Sequence, residues 1–238
     1  MGIPAEALTT EESRVRTVYS RRPVGELYSR FNPGCLFMAQ ERERRFLKLL
    51  SQYGCTRLDT KEILEIGCGT GDLLREFVQW GANPKNVTGI DVIPDRILEA
   101  ARLCPDTMWI ERCNAATLHF PDGYFDLVVQ ATVFTSVLDS EIRRQIASEM
   151  VRVLKSDGLI LWYDFHMNNP NNPNVRGVKA REIERLFPDC EIHLERIILA
   201  PPVTRFLAPY AWHLCYALSK LPWLCTHYAG VLRRRKRG

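Results

Sequence analysis

The sequence predicts an α/β fold in which a parallel β-sheet carries helices on both faces. Two observations indicate it. From residue 55 onward, short apolar strand patterns alternate with helical patterns, as in the βα repeats that build parallel sheets. In addition, the strand at 62–66 runs into a loop with glycine at every second position, and this loop opens directly into a helical pattern. Because ligands of open α/β sheets bind at the carboxyl ends of the strands, we expect the functional site beside this loop.

The N-terminal segment precedes the alternating pattern. Residues 1–25 are polar and rich in Arg and Glu, and we expect them to be irregular, with a mobile extreme end. From Phe37 to Tyr53, apolar residues recur every three or four positions with mixed charges between them, which predicts a helix. We therefore treat residues 1–54 as an N-terminal helical cap or lid, and residues 55–238 as the α/β domain.

The elements of the α/β domain are predicted from the same periodicities. In chain order they are a strand at 62–66, a helix at about 71–80, a strand at 87–91, a helix at about 94–103, strands at 108–112 and 125–130, a helix at 139–154, a strand at 159–163, a helix at about 179–186, and strands at 191–200 and 227–232. Gly81 marks the end of the first of these helices, and Pro94 is favoured in the first turn of the next. Asp157-Gly158 predicts a turn before the fifth strand.

Length and charge bound the class of protein. The 238 residues suffice for one α/β domain with a sizeable core, and contents of 46% apolar and 25% charged residues are ordinary for a globular chain. The basic run at 233–237 accounts for the whole net charge of +4, so the rest of the chain is close to neutral and the basicity is a tail. This balance, without any RNA-binding pattern, argues against a nucleic-acid partner.

Cysteine usage and apolar stretches bear on location. The eight cysteines include no C-x-x-C pair and no metal-like Cys/His grouping, so we expect neither a metal site nor a disulfide framework. No apolar segment follows a basic start, and no window of about 18 residues is apolar throughout, so we expect neither a signal peptide nor a membrane span. The prediction is a cytoplasmic protein with reduced thiols, and the oligomeric state stays open.

The glycine loop discriminates among nucleotide-type ligands. It reads Glu65-Ile66-Gly67-Cys68-Gly69-Thr70-Gly71, which fits neither the G-x-G-x-x-G dinucleotide pattern nor the G-x-x-x-x-G-K-[ST] phosphate loop. Over residues 40–190 the chain resembles the class I S-adenosylmethionine-dependent methyltransferases, whose first motif, E-x-G-x-G-x-G, is matched at every fixed position. The resemblance implies S-adenosylmethionine as the cofactor. It also implies a Rossmann-like, seven-stranded, mostly parallel sheet whose last strand runs antiparallel between strands five and six, with residues 201–226 as an insertion before it.

The resemblance assigns cofactor contacts to the loop and to the end of the second strand. The loop contributes Glu65, Gly67, Cys68, Gly69 and Gly71. Asp91 ends the second strand, where a carboxylate can accept hydrogen bonds from both ribose hydroxyls, and Val92 beside it belongs to the same site. The alternative for Asp91 is an ordinary turn aspartate.

The third and fourth strands contribute further cofactor positions. Asn114 and Ala115 follow the third strand, where many family members carry an Asp that reads the adenine amine. Asn114 can accept through its amide oxygen but lacks the charge, and Ala115 offers a backbone N–H. A solvated loop asparagine is the alternative. Gln130 ends the fourth strand at the same carboxyl edge and is assigned to the same site.

A lid over the cofactor is implied just before the first helix. The segment Tyr28-Ser29-Arg30-Phe31-Asn32 lies where family members fold a segment over the cofactor. On this interpretation Tyr28 or Phe31 excludes water and Arg30 meets the methionine carboxylate. Packing of the same residues within a helical cap is the alternative.

Two residues after the fifth strand are candidates for acid–base chemistry. His166 lies just past that strand at the carboxyl edge, and imidazole suits the removal of a hydroxyl proton near neutral pH. Asp164 could orient His166 or replace it as the base. A loop histidine without a catalytic part is the alternative. The asparagine- and proline-rich stretch at 168–174 is a loop that could line the acceptor pocket or lie passively on the surface.

Residues 206–225 are unusually apolar and aromatic for a globular protein. Together with the basic tail at 233–238 they resemble an interfacial element, with Trp and Tyr at the level of lipid headgroups. This interpretation predicts peripheral membrane contact. The alternative is a helix packed on the edge of the sheet or closing an apolar acceptor pocket.

The sequence thus predicts an S-adenosylmethionine-dependent methyltransferase that acts on a small molecule, a glycan or a lipid-linked intermediate, with oxygen as the expected acceptor atom. The alternatives are a nucleic-acid or protein methyltransferase, and a non-catalytic S-adenosylmethionine-binding partner subunit.

Overall fold

The computed structural model describes residues 5–20, 29–170 and 172–235. The helices are α1 (Ala5–Ser20), α2 (Pro33–Gln52), α3 (Asp72–Gln79), α4 (Pro94–Leu103), α5 (Val133–Ser136), α6 (Ser140–Val153), α7 (Ala180–Leu186), α8 (Pro201–Leu207) and α9 (Trp212–Leu218). The strands are β1 (Ile63–Ile66), β2 (Val87–Asp91), β3 (Trp109–Arg112), β4 (Phe125–Ala131), β5 (Leu154–Phe165), β6 (Cys190–Leu199) and β7 (Cys225–Arg234).

In the described part of the chain, seven strands form one sheet in the order β3-β2-β1-β4-β5-β7-β6. The strands β1 to β5 pair in parallel, and β7 runs antiparallel to both β5 and β6. The predicted Rossmann-like α/β fold is therefore confirmed, including the antiparallel last strand between strands five and six. In the middle of the sheet, Ile66 lies beside both Ile90 and Gln130, so the carboxyl ends of β1, β2 and β4 meet at one edge.

Local sequence signals define where the longer helices begin. The Asn32 side chain accepts hydrogen bonds from the amides of Gly34 and Cys35, and Pro33 occupies the first turn of α2. At α6, the Asp139 side chain caps the first turn in the same way. These caps satisfy amide groups that would otherwise lack a partner at the helix start.

Both faces of the sheet are covered, and each has its own apolar core. On one face, Phe46 and Leu49 of α2 and Phe77 of α3 pack against β1, β5 and β7. On the other, Ile146 and Met150 of α6 join a cluster that also contains residues of α5 and α7. Because strands buried on both faces read as continuous apolar runs, this arrangement explains the apolar sequences of β1 and β4.

The segment between β6 and β7 forms α8 and α9 and packs on α2. A small third core joins Phe37 of α2 to Leu199, Ala208 and Cys215. The rings of Phe37 and Trp212 meet edge to face, with centroids 5.1 Å apart. Among the described residues, no helix is both long and apolar enough to cross a membrane.

Three segments differ from the predicted elements. The expectation of an irregular N-terminus is wrong for α1, whose half-buried Leu8 packs on the core beside α6. β5 begins at Leu154 because this residue pairs with Phe125 before a register shift in the ladder with β4. β7 extends to Arg234, two residues into the predicted basic tail, because it pairs along the whole length of β6.

Residues 1–4, 21–28, 171 and 236–238 lie outside the described residues.

Candidate functional site

The loop between β1 and α3 needs glycine at alternate positions. Gly67, Gly69 and Gly71 all have positive φ angles, of 66°, 56° and 77°. A Cβ on Gly67 would lie 2.5 Å from a Val133 methyl group, and one on Gly71 would lie 2.4 Å from the Cys104 sulfur. The spacing therefore reflects both a left-handed backbone and close packing on both sides of the loop.

Asp91 ties the end of β2 to this loop. One oxygen of its carboxylate accepts a hydrogen bond from the Gly69 amide at 3.0 Å, and the other accepts from the Ile93 amide at 2.9 Å. Burial raises the pKa of Asp91, although these two amides favour the ionised form. The carboxylate is thus part of the loop as well as part of any ligand site beside it.

A cavity of about 300 Å³ opens at the carboxyl edge, above β1, β2 and β4. Its wall includes eight of the residues that the sequence assigns to a cofactor: Glu65, Gly67, Cys68, Gly69, Asp91, Val92, Asn114 and Ala115. We call it the first cavity. Its lining extends from Asn114, which follows β3, to Tyr163, near the end of β5.

Glu65 is the acidic group deepest in this wall. It is only 3% exposed, and its Oε2 atom has no hydrogen-bond partner in the described part of the chain. Burial raises the pKa of Glu65 well above its ordinary value, and the positive charge of Arg42 opposes this shift. A buried carboxyl with a free acceptor is suited to a ligand that brings a cationic or hydrogen-bond-donating group.

Comparison with known proteins identifies the family at this point. Residues 63–158, which contain the glycine loop, Asp91 and Asn114, match the family model of a methyltransferase domain. These residues therefore form a methyltransferase domain, in agreement with the resemblance to the class I S-adenosylmethionine-dependent methyltransferases.

Curated relatives include methyltransferases of quinone biosynthesis. The 2-methyl-6-phytyl-1,4-hydroquinone methyltransferase of Synechocystis sp. is 30% identical over 204 residues, which are 79% of this chain and 60% of that protein. The ubiquinone/menaquinone biosynthesis C-methyltransferase UbiE of Paraburkholderia phytofirmans is 30% identical over 111 residues, which are 44% of this chain and 43% of that protein. The chain thus spans between two fifths and three fifths of the length of these relatives.

Solved structures share the fold. A methyltransferase from Archaeoglobus fulgidus superimposes with a TM-score of 0.57, at 16% identity, over 84% of this chain and 98% of that one. The PH0226 protein of Pyrococcus horikoshii gives a TM-score of 0.59, at 15% identity, over 92% and 99%. At such low identity these structures support the fold alone.

The chemistry of the first cavity fits S-adenosylmethionine, the cofactor of the family that the chain resembles. The Asp91 carboxylate suits ribose hydroxyls, and the free oxygen of Glu65 suits the amino group of the methionyl part. The Gly69 and Ile93 amides of the chain hold the Asp91 carboxylate in place. The site is therefore organised by the chain itself.

Asn114 contacts its own turn. Its amide oxygen, which the sequence assigned to adenine, accepts a hydrogen bond from the Ala116 amide at 2.9 Å. The side chain still lines the first cavity together with Ala115. Because the oxygen already has a donor, the amide NH₂ group is the part of Asn114 with more hydrogen-bonding capacity for a ligand.

Three other predicted cofactor residues that the structure describes, Gly71, Gln130 and Arg30, do not line the first cavity. Gly71 packs against Cys104 at the start of α3, and the wholly buried Gln130 accepts a hydrogen bond from the Val133 amide at 3.2 Å. Arg30 donates to Glu76 at 2.6 Å instead of facing this cavity. Tyr28 lies outside the described residues.

The predicted base and its partner are also elsewhere. The Nε2 atom of His166 is 2.9 Å from the Cys225 carbonyl oxygen, so this nitrogen carries the proton, and burial lowers the pKa of the ring. Asp164 is completely buried and accepts hydrogen bonds from the amide and the hydroxyl of Thr135. Neither lines the first cavity or the second one described below. Side chains alternate along β5, so Tyr163 faces the cavities while Asp164 faces α5.

Sequence reasoning missed the part played by α1. Leu8, Val15 and Tyr19 of this helix line the first cavity. The Tyr19 hydroxyl is 2.8 Å from the Ser136 hydroxyl, and the Arg96 guanidinium carbon lies 4.3 Å from the centroid of the Tyr19 ring. Helix α1 therefore covers the cavity where the prediction had put residues 28–32.

A second cavity, of about 260 Å³, lies between α2, the end of β5 and α8. Arg42, Asp72 and Tyr163 belong to the walls of both cavities, so they form the junction between them. Tyr163 stacks on His227, with ring centroids 4.9 Å apart and an interplanar angle of 14°. Burial lowers the pKa of His227 to about 3 and raises that of Tyr163, so both side chains are uncharged near neutral pH.

Proposed function

We propose that this chain transfers the methyl group of S-adenosylmethionine to a small hydroxyl-bearing acceptor bound in the second cavity. The observation that carries the proposal is the shared wall formed by Arg42, Asp72 and Tyr163, which puts two ligand-sized spaces side by side. A transferase of this kind has to hold a donor and an acceptor next to each other. Such positioning alone accounts for about 7–11 kcal/mol of the barrier to a two-substrate reaction.

The order of the strands supports an orientation of the cofactor. Asn114 follows β3 at the edge of the sheet, Asp91 ends β2, and Glu65 lies in β1. An adenine at Asn114 and a ribose at Asp91 direct the methionyl part across β1, toward Tyr163 of β5 and the junction. The cofactor supplies a methyl group on a cationic sulfonium, and the chain supplies the arrangement.

The lining of the second cavity favours an acceptor with an ionisable hydroxyl. Its wall contains Arg30, Arg42 and Arg205 together with apolar residues such as Met38 and Phe165. Although burial opposes it, the negative charge of Glu76 and its hydrogen bonds with Arg42 raise the pKa of Arg42, which therefore stays cationic. A cation within about 4–6 Å lowers the pKa of an acidic group, typically by about 1–3 units.

The cationic wall takes on the task that a general base performs elsewhere. His227 has too low a pKa to retain a proton near neutrality, and Tyr163 has too high a pKa to act as a base. Ionisation of the acceptor beside Arg42 therefore creates the nucleophile. We propose oxygen as the methylated atom, and the same ionisation of a hydroquinone also activates ring carbon, in line with the C-methyltransferases among the relatives.

A labelled-methyl assay tests the proposal. The full chain is incubated with ¹³C-methyl S-adenosylmethionine and either a prenylated hydroquinone or a polyprenyl-linked sugar, and NMR distinguishes O-methyl from C-methyl products. Ala39→Phe fills the second cavity and is expected to abolish turnover while leaving binding of S-adenosylhomocysteine unchanged. The control Leu47→Phe lies on an exposed part of α2 and is expected to keep full activity. Undiminished turnover in Ala39→Phe contradicts the acceptor site.

The same assay separates catalysis from a cofactor-binding role without transfer. Tight binding of S-adenosylhomocysteine with no labelled product from either acceptor contradicts the proposed activity. An O-methyl product supports the proposal in full, whereas a C-methyl product supports the site but contradicts the choice of atom.

A further inference from the structure

The segment between β6 and β7, residues 201–224, has two different sides, and we call it the inserted segment. Its inner side packs on α2 through Trp212, Ala208 and Cys215. Its outer side carries aromatic rings that no other described element covers: Phe206 is 73% exposed, Tyr210 is 87% exposed and Trp223 is 70% exposed. Packing on the sheet edge therefore accounts for only part of the apolar character of this segment.

Exposed apolar side chains are concentrated in this segment. Fourteen large apolar residues are exposed in the described part of the chain, and seven of them belong to residues 201–224. Single exposed apolar residues are normal on a protein surface, but a contiguous group marks an interaction site. Each of the helices α8 and α9 has seven residues, so this segment can lie on a bilayer but cannot span it.

The charged residues of the inserted segment have one sign. Residues 201–224 contain Arg205 and Lys220 and no Asp or Glu. The Lys220 ammonium lies 4.1 Å from the centroid of the Tyr216 ring, and the Arg44 guanidinium of α2 lies 5.6 Å from the same ring. Cations beside Tyr and Trp are the composition of a surface that meets anionic lipid headgroups.

This outer surface borders the second cavity. Arg30 and Arg205 belong to the wall of that cavity, and each is followed in the chain by an exposed phenylalanine. Phe31 is 98% exposed, and Phe206 carries the outer side of α8. The two walls of the cavity thus continue into apolar residues that project outward.

We propose that the inserted segment and Phe31 form a membrane-contacting surface that seats in the headgroup layer of an anionic bilayer, with the second cavity opening toward the lipid. An acceptor with a long apolar tail then reaches the cavity with its tail still in the bilayer. This use of the surface rests on the proposed function, because it takes the second cavity as the acceptor site. The binding of lipid itself does not depend on it.

Vesicle sedimentation tests the surface. The full chain is expected to sediment with vesicles of phosphatidylcholine mixed with phosphatidylglycerol, and more weakly with phosphatidylcholine alone. The triple variant Phe206→Ser, Tyr210→Ser, Trp223→Ser is expected to bind the vesicles at least about tenfold more weakly. The reason is that each apolar side chain buried in the bilayer contributes to partitioning. The control pair Leu98→Ser, Trp109→Ser removes exposed apolar residues elsewhere and is expected to bind as the parent does.

Further readouts keep the two proposals distinguishable. The single variant Phe31→Ser is expected to weaken vesicle binding without lowering the thermal unfolding temperature. The triple variant is expected to retain turnover of a short-chain, water-soluble acceptor and to lose turnover of a long-chain acceptor in vesicles. Absence of vesicle binding by the parent chain, or equal binding by parent and triple variant, overturns the membrane proposal even if methylation occurs. A parent dimer that the triple variant converts to a monomer, without vesicle binding, overturns it in favour of contact between two copies.

Discussion

The Arg42 guanidinium carbon lies 5.9 Å from the centroid of the Tyr163 ring, and both side chains line the first and the second cavity. Arg42 is held in this position by Glu76, which accepts from its Nη2 atom at 2.9 and 2.8 Å. The positive charge at the junction is thus fixed by a third side chain from α3. A fixed charge between two ligand sites changes the energy of any group that gains or loses charge there during a reaction.

Arg42→Met is expected to shift the pH dependence of methyl transfer. If the Arg42 charge favours ionisation of the acceptor, its loss moves the rise of kcat/KM toward higher pH by about one unit. The control Arg45→Met lies one turn along α2, where it pairs with Glu195 outside both cavities, and is expected to leave the profile in place. A lower rate with an unshifted profile in Arg42→Met indicates a structural part for this residue instead.

Asp91→Ala is expected to weaken cofactor binding. Hydrogen bonds to a charged group contribute about 1.5–3 kcal/mol, which corresponds to about tenfold or more in Kd. Calorimetry with S-adenosylhomocysteine measures this change. Asp95→Ala, an exposed carboxylate in the first turn of α4, is the matched control and is expected to bind normally. Equal Kd values for the two variants contradict the assignment of Asp91 to the ribose.

Gly71→Ala is expected to destabilise the fold more than Gly54→Ala does. Both residues have positive φ angles, of 77° and 72°, so both variants carry the same backbone strain. Only the Cβ at position 71 meets an atom at 2.4 Å, the Cys104 sulfur, whereas the Cβ at position 54 has open space. Overpacking of this kind costs about 1–3 kcal/mol in the free energy of unfolding.

Urea unfolding of both variants measures the difference, and a second substitution checks its cause. In the Cys104→Ala background the sulfur is absent, so Gly71→Ala is expected to lose little more stability than Gly54→Ala. If the excess cost of Gly71→Ala persists there, contact with Cys104 is not its origin.

Local patterns predicted one side of the site, and long-range packing supplied the other. The glycine loop and Asp91 are readable because motif, strand end and spacing all lie within about 30 residues, and the parallel sheet brings their strand ends to one edge. Arg42, Tyr163 and His227 come from segments far apart in the chain. Each is ordinary in its local context, and only the packing of α2 over β5 and β7 gives the three a common cavity.

The lid and the base that the sequence predicts also depend on long-range packing, which local sequence patterns do not reveal. Helix α1 has few apolar residues, and its contacts with Ser136 and Arg96 cannot be inferred from its own sequence. His166 and Asp164 follow the correct strand at the correct edge. Nevertheless, the alternation of side chains along β5 directs Asp164 away from the cavities, and a carbonyl of β7 engages His166.

Tyr19→Ala is expected to speed cofactor release. Tyr19 fastens α1 over the first cavity through its contacts with Ser136 and Arg96. A neutral hydrogen bond and a cation–π contact contribute about 1 kcal/mol each, so their joint loss raises the dissociation rate of S-adenosylhomocysteine by about thirtyfold. Stopped-flow displacement measures this rate. The control Thr17→Ala changes an exposed residue of the same helix and is expected to release the ligand at the parent rate. If Tyr19→Ala also releases the ligand at the parent rate, α1 does not close the first cavity.

Asp164→Asn is expected to change how stability depends on pH. Burial raises the pKa of Asp164 to about 7, although Thr135 and the Phe165 amide favour the ionised form. In the unfolded chain an aspartate titrates near about 3.9, so between these values the folded state binds the extra proton. The free energy of unfolding contributed by this group therefore falls as pH rises through this window and is lowest above about pH 7.

The Asp164→Asn variant has no carboxyl group to titrate at this position. Its free energy of unfolding relative to that of the parent is therefore expected to increase as the pH rises. Between about pH 5 and about pH 8 the difference in unfolding free energy should move in favour of the variant by about 3 kcal/mol, since each pKa unit corresponds to about 1.4 kcal/mol. Urea unfolding of both proteins at the two pH values measures this change. The variant Asp157→Asn, at an exposed position near the start of β5, is expected to show no such change. If the difference in unfolding free energy between Asp164→Asn and the parent does not change with pH, the prediction is wrong. Asp164 is then ionised in the folded state throughout this range, with its buried charge balanced by Thr135 and the nearby Arg143.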